Sequence, residues 1–286
     1  MLIAVSLLLV GCKDTPQGDG TSSSGSGSST PDKPVVTPAN VTHTSWQILE
    51  GKPTQTTVHK YVTDKPGPKI VIVGGIHGDE VAGWTAALRL VNTISQEEGI
   101  CGEILLIPQA NILADNARVR YNVKGTGVSY SDLNRSFEIG RQSTAKKATI
   151  EISDALVAVV DEFIGEYKYQ KDGDLCIIDF HESLGSWTDN DGRLGDELLT
   201  SNTPFLIEEL LDRYNKNYKP AGDPNFRTED ACKQGSFSLN FSKKYRKATV
   251  FTIETNRGND TVLLEKRVSQ QLNIMQALFD IVWERI

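Results

Sequence analysis

The chain has 286 residues, 38% of them apolar and 23% charged, with a formal net charge of −7 at pH 7. That length admits one large domain or two small ones, and the composition is ordinary for a globular protein. The acidic balance argues against a nucleic-acid partner, which calls for a basic patch. The four cysteines, Cys12, Cys101, Cys176 and Cys232, form no Cys-x-x-Cys pair, which excludes a zinc knuckle or a thioredoxin-type redox motif.

Leu2 to Val10 is an apolar run too short to span a bilayer as a folded helix, and it ends Leu9-Val10-Gly11-Cys12. This ending resembles the lipobox of bacterial lipoproteins, although no Lys or Arg precedes Cys12. The resemblance implies a signal peptide over 1–11, a lipid on Cys12 and a protein held on the extracytoplasmic side of a cell-envelope membrane. Residues 12–45 read as a linker. Their Gly/Ser-rich stretch, followed by a Pro/Thr/Val stretch, buries too little apolar surface to offset its ordering entropy.

The folded domain is expected over 46–286, starting near Trp46. Thr56 to Val62 alternates and reads as a strand, and Asp64-Lys65-Pro66-Gly67-Pro68 as a turn. Lys69 to Gly74 is a buried strand. Glu80 to Ser95 carries Val81, Trp84, Leu88, Val91 and Ile94 at helical spacing. Glu103 to Pro108 is a further strand. Gln109 to Gly140 has little periodicity, and a loop that long inside a compact domain is usually functional or disordered. Thr144 to Tyr167 is a helix, Leu175 to Phe180 a strand, Pro204 to Asn217 a helix, Thr249 to Ile253 a strand and Val262 to Trp283 a long final helix. Strands alternating with helices predict an α/β domain with a mixed, largely parallel twisted sheet covered by helices on both faces.

Chemistry concentrates at strand ends. Val71-Ile72-Val73-Gly74-Gly75-Ile76-His77-Gly78-Asp79-Glu80 places a histidine and a glutamate on one tight turn between a strand and a helix. An imidazole and a carboxylate are two thirds of a His₂Glu zinc site. The chain has four histidines. His43 falls in the linker and His59 in an alternating strand, so both are expected to be solvated. His181, in Asp179-Phe180-His181-Glu182, shares the strand-end context of His77, where ligand crevices of open α/β sheets lie. His77, Glu80 and His181 therefore form a candidate three-ligand set. Glu254 ends a third apolar strand and suits a base that takes a proton from water and returns it to a leaving group. The long loop supplies Arg118, Arg120, Asn134 and Arg135, whose donors suit carboxylate binding or stabilisation of an oxyanion.

In this order, His-x-x-Glu, Arg, Asp-Leu-Asn-Arg, a strand-end His and a strand-end Glu resemble the zinc carboxypeptidase superfamily, from about Lys69 to the C-terminus. The superfamily includes the carboxypeptidase A type and the succinylglutamate desuccinylase/aspartoacylase deacylases. The resemblance implies one Zn²⁺ on His77, Glu80 and His181, a substrate carboxylate on Asn134 and Arg135, and Glu254 as general base and acid. Arg120, rather than Arg118, matches the oxyanion arginine, because the deacylases place Arg-Tyr there and Asn111 and Ala114 fall at the matching spacing. Two departures stand out. Asn111-Ile112 replaces the deacylases' usual Asn-Pro, and Thr255 to Ile286 holds little more than one helix where they carry a further β-rich domain. No tyrosine is singled out as a substrate cap; Tyr214, Tyr218 and Tyr245 lie in the right region.

The expected activity is hydrolysis of an amide bond beside a free carboxylate, on a small peptide, perhaps of the cell wall, as leading substrate. A deacylase of N-acyl amino acids is the second enzyme reading. A non-catalytic surface binding protein is the rival from another class, and Glu254 speaks against it, since a binder needs no base. With Cys12 lipidated, Cys101, Cys176 and Cys232 allow at most one intramolecular disulfide.

Overall fold

A computed structural model describes residues 39–97, 99–121, 127–184, 195–201, 205–258 and 260–285. The apolar leader, Cys12 and all but the last residues of the linker lie outside the described residues. One mixed sheet of eight strands runs in the order β1-β2-β4-β3-β5-β8-β6-β7. The strands are β1 (Val41–Ile48), β2 (Thr56–Thr63), β3 (Lys69–Val73), β4 (Glu103–Ile107), β5 (Leu175–Ser183), β6 (Glu197–Leu199), β7 (Arg227–Glu229) and β8 (Thr249–Asn256). The helices are α1 (Val81–Thr93), α2 (Ile112–Ala117), α3 (Lys147–Ile164), α4 (Phe205–Arg213), α5 (Phe237–Lys244) and α6 (Leu264–Glu284). Among the described residues no helix is long and apolar enough to cross a membrane.

The central strands β4, β3, β5 and β8 are parallel, with antiparallel pairs at β1–β2, β2–β4 and β6–β8. This is the mixed, two-faced α/β architecture expected. The central strands read as unbroken apolar runs because both of their faces are covered. In β3, Ile70 and Ile72 point into the layer that holds Ala82, Ala86 and Leu90 of α1 and Val268, Ile274 and Leu278 of α6. Val71 and Val73 point the other way, toward Ile152, Leu156 and Val160 of α3 and Phe237 and Phe241 of α5. Successive side chains alternate across a strand, so one run feeds two cores. Burying a large side chain such as Phe251 or Leu278 completely contributes about 1.5–3 kcal/mol.

The domain starts earlier than Trp46. Val41–Ile48 pairs antiparallel with all of β2, from Val41 opposite Thr63 to Ile48 opposite Thr56. Most of its side chains are exposed, so neither face carries an apolar pattern that would mark it. His43 accordingly belongs to a strand. Its Nε2 lies 3.0 Å from Nδ1 of His59, and its ring stacks on Tyr61 with centroids 4.3 Å apart.

Cys101, Cys176 and Cys232 are all free thiols. Cys176 is completely buried inside β5.

Candidate active site

The first ligand loop is shaped by close backbone contacts. After β3, the amide of Gly74 donates to the Ile107 carbonyl at 2.9 Å, and the carbonyls of Gly74 and Gly75 accept from the amides of Ala110 and Asn111 at 2.9 Å each. Gly75 has φ +72°, a region that a Cβ disfavours. A Cβ on Gly78 would overlap the backbone of Ala114 in α2. The Gly-Ile-His-Gly segment thus lies flat against α2, and the chain turns back at once, with the Glu80 amide donating to the His77 carbonyl at 3.3 Å. Glu80 occupies the N-cap of α1 but makes no side-chain cap. Glu182 does that work, its Oε2 accepting from the Ala82 amide at 2.7 Å, which leaves the Glu80 carboxylate free to turn toward the histidines.

The three expected ligands meet. His77 Nδ1 lies 2.8 Å from Glu80 Oε1, and His181 Nδ1 lies 2.6 Å from Glu80 Oε2. One ligand atom from each of the three lies within 4.8 Å of the others, and all three residues are buried. The far nitrogens are held by acids. His77 Nε2 is 2.8 Å from Asp132 Oδ1, and His181 Nε2 is 3.1 Å from Asp179 Oδ2. Each imidazole thus places its Nδ1 at the centre with a carboxyl behind it, the arrangement that fixes tautomer and ring orientation of metal-bound histidine. Two neutral nitrogen donors and one carboxylate oxygen form a zinc-type set with room for a further ligand, so the residues present fit the metal.

Electrostatics agree with a cluster built to hold positive charge. Burial would raise the Glu80 pKa, but the charges of His77 and then His181 outweigh it and hold the carboxylate well below its ordinary range. Burial would lower the His181 pKa, yet Glu80 and Asp179 push it well above the ordinary histidine value. Asp132, despite its burial, is held far down by its hydrogen bond to and the charge of His77, then by Arg120 and Arg135.

Glu254 lies where the sheet register demands. On adjacent parallel strands His181 is the Cα partner of Glu254, and Asp179 of Thr252. Glu254 is 8% exposed and its Oε2 has no hydrogen-bond partner. Burial raises its pKa to about 8, with His181 opposing and Glu80 and Asp179 adding to the rise. A buried carboxyl with a free oxygen and a pKa near neutrality suits proton transfer.

A cavity of about 460 Å³ opens over these groups. Its wall includes Arg120, Asn134 and Arg135. Arg120 Nη1 donates to Glu80 Oε1 at 2.9 Å, so this arginine borders the three-residue cluster directly. Arg118 is absent from the wall and serves as the left-handed C-cap of α2, with φ +51°. Asn134 and Arg135 sit in a single 3₁₀ turn, Leu133–Arg135, capped by Asp132, whose side chain accepts from the Asn134 amide. Asn134 is partly committed elsewhere, since its Oδ1 accepts from the Phe237 amide at the start of α5 at 2.9 Å. The tyrosines lie away from the cavity. Tyr214 is buried, Tyr218 donates to Asp280, and Tyr245 donates to Asp161 at 2.6 Å.

Sequence reasoning assigned no role to Asp132. The acids flanking the motif residues, Asp-Leu-Asn-Arg and Asp-Phe-His-Glu, were the available signal. The structure places Asp132 and Asp179 behind the two histidines, while Glu182 forms an ion pair with Arg267 and caps α1.

Residues 66–185 match the family model for the succinylglutamate desuccinylase/aspartoacylase catalytic domain. No curated protein sequence matches the chain. Among solved structures, an aspartoacylase family protein of Mesorhizobium loti aligns with 83% of this chain and 67% of its own, at 18% identity and TM-score 0.54. Bovine thrombin-activatable fibrinolysis inhibitor, solved with a tick carboxypeptidase inhibitor, aligns over 85% of this chain and 91% of its own, at 14% identity and TM-score 0.61. The mDAP-bound form of Helicobacter pylori Csd4, a D,L-carboxypeptidase, aligns over 76% of this chain at 15% identity and TM-score 0.55; the chain spans about half of that protein, 51%. The fold is that of the zinc carboxypeptidase superfamily, which the sequence motifs resemble.

Proposed function

We propose that the chain is a zinc-dependent hydrolase that cleaves an amide bond adjacent to a free carboxylate. The observation that carries this reading is the convergence of His77, Glu80 and His181 through Nδ1 and carboxylate atoms, beside a buried carboxyl, Glu254, with an unpartnered oxygen. His77, Glu80 and His181 would hold the metal, which supplies Lewis acidity to the reacting carbonyl. Glu254 takes a proton from the attacking water and delivers it to the leaving nitrogen. Arg135, with Asn134 beside it, binds the substrate carboxylate as a fork-shaped donor. Arg120, moving off Glu80, faces the developing oxyanion.

A short peptide is the favoured substrate. Bovine thrombin-activatable fibrinolysis inhibitor, solved with a carboxypeptidase inhibitor, is matched over 91% of its length, which supports the peptidase reading. Deacylation of N-acyl amino acids remains the second reading, favoured by the family match over 66–185. A lipid on Cys12 and an extracytoplasmic, membrane-held location complete the proposal, resting on the Leu-Val-Gly-Cys ending and the polar linker. Peptides of the cell wall would be within reach of such a tether.

Metal analysis of purified protein together with a screen of peptides, muropeptides and N-acyl amino acids tests this directly. One zinc per chain, lost in His77→Ala, Glu80→Ala and His181→Ala, is the expected result. A protein that retains zinc but turns over no member of the panel would be the binding module instead.

A further inference from the structure

The two histidines outside the active site face each other on the outermost strand pair. β1 is the edge of the sheet; His43 in it stands opposite Tyr61 of β2, and Ser45 opposite His59. Residues directly opposite, or two apart along a strand, share a face, so His43, His59 and Tyr61 project together. Nε2 of His43 lies 3.0 Å from Nδ1 of His59, with the ring centroids 5.3 Å apart. Neither imidazole lines the active-site cavity.

The pair is supported from beneath. The His43 ring lies within 5° of parallel to that of Tyr61. Tyr61 is completely buried and donates its hydroxyl to the Val91 carbonyl at 2.8 Å, so the platform is fixed. His59 projects from a strand that is hydrogen-bonded on both sides, to β1 and to β4. Burial and the charge of His43 lower the His59 pKa, which leaves that ring neutral at pH 7 with a lone pair on one nitrogen. Lys60, the next residue, points to the opposite face and pairs with Glu103 at 2.9 Å.

In the metal-free protein one N–H between the rings makes a hydrogen bond. The same two nitrogens suit a metal ion. An ion at the usual distance from both, about 2.0–2.1 Å, sees nitrogens 3.0 Å apart at an angle of about 90–100°. That is close to the right angle between neighbouring ligands of a square plane and less than the roughly 109° of a tetrahedron. A square-planar site of nitrogen and oxygen ligands suits Cu(II) or Ni(II), and Cu(II) binds the more tightly of the two. We propose that His43 and His59 form a second metal site, a two-nitrogen clip for Cu(II) that joins β1 to β2. It does not depend on the hydrolase reading. Among the described residues no third His, Cys, Asp or Glu completes the set, so water fills the remaining positions. The exposed His43 ring slides on Tyr61 to aim its lone pair at the ion. The proton held between the rings passes to the far nitrogen of its own ring, so none is released at neutral pH.

The test adds Cu(II) to the tag-free, zinc-loaded full chain and reads stoichiometry, affinity and the copper electron-spin resonance. The wild type should take up one copper per chain with its zinc unchanged, and the resonance should show two imidazole nitrogens. His43→Gln and His59→Gln should each keep the zinc and bind copper more weakly on the order of 10²-fold, the loss expected when two linked ligands become one. Copper should raise the Tm of the wild type and of neither variant. Equal copper affinity in the wild type and either variant overturns the inference. So does copper that enters only by displacing zinc. A wild-type resonance with a single imidazole nitrogen overturns it as well, and that measurement decides the matter even if a variant fails to fold.

Discussion

Glu254→Gln should make the metal-free protein more stable at alkaline pH while abolishing catalysis. In the folded chain Glu254 is buried, one oxygen lacks a partner, and the carboxyl titrates at about 8 against an ordinary value near 4.5. The folded state therefore holds this proton more tightly than the unfolded chain does. The associated stability is fully present below about pH 4.5 and is lost as pH rises through about 8. At about 1.4 kcal/mol per pH unit, the difference amounts to roughly 4–5 kcal/mol once both states are ionised. Glutamine carries no charge but brings N–H groups that the site need not satisfy, at a cost of about 1–3 kcal/mol. The variant should thus gain roughly 2–3 kcal/mol at pH 9, some 5–10 °C in Tm for a domain of this size, and lose about 1–3 kcal/mol near pH 4, where only the cost of the amide remains. Unfolding of chelator-treated wild type and variant across pH 4–9 measures it, and the difference between the two isolates Glu254 from other titrating groups. A difference that stays flat with pH would refute the reasoning. Turnover of the zinc form should fall by about 10²–10⁴, with metal content unchanged.

Arg135→Ala should act mainly through KM, costing about 2–4 kcal/mol in kcat/KM; amidating the substrate carboxylate should harm the wild type far more than the variant, and equal harm would show that Arg135 does not read that group. Arg267→Met removes the ion-pair partner of Glu182, whose pKa burial already raises to about 7 against the pull of Arg267. The loss should be small at pH 5, where Glu182 takes up a proton, and about 3–5 kcal/mol above pH 8, where its charge is stranded; denaturant midpoints at the two pH values decide it. Gly78→Ala should cost about 1–3 kcal/mol and most of the zinc, because the new Cβ meets the Ala114 backbone rather than a movable side chain; a variant with normal zinc would show that the His77 loop can shift without harm.

The parts legible in the sequence are those whose burial leaves a one-dimensional trace. β3, β4, β5 and β8 are apolar runs because both sheet faces are covered, and α1, α3 and α6 carry an apolar stripe because one side faces solvent. The candidate site was legible because His77, His181 and Glu254 stand at or just past the ends of such runs, with Glu80 three residues after His77. Elements without that contrast were missed. β1 is exposed along most of its length, β6 and β7 are three residues each, and Phe237, Leu239 and Phe241 of α5 alternate like a strand because the first six residues of that helix are all buried. The one local clue to α5 was Ser236, whose hydroxyl oxygen accepts from the Leu239 amide as an N-cap. The roles of Asp132 and Glu182 were hidden for another reason. Their partners, His77 for Asp132 and Arg267 for Glu182, lie 55 and 85 residues away along the chain, and which acid backs which histidine depends on how the sheet folds.

The pairing of His181 with Glu254 across β5 and β8 also sets how this protein can change over evolutionary time. The two side chains share a face because their strands are in register, about 4.8 Å apart. Inserting or deleting one residue in β8 ahead of Glu254 would turn it to the opposite face and bring a neighbour such as Ile253 or Thr255 in its place. A change of two residues restores the face but displaces the carboxyl by nearly 7 Å along the strand. Length changes are therefore closed to the strands that carry His181 and Glu254. They stay open to the segments between β6 and α5, which include Ala231, Cys232 and Lys233 of the cavity wall. Descendants of this chain can remodel that side of the cavity while His181 and Glu254 keep their spacing.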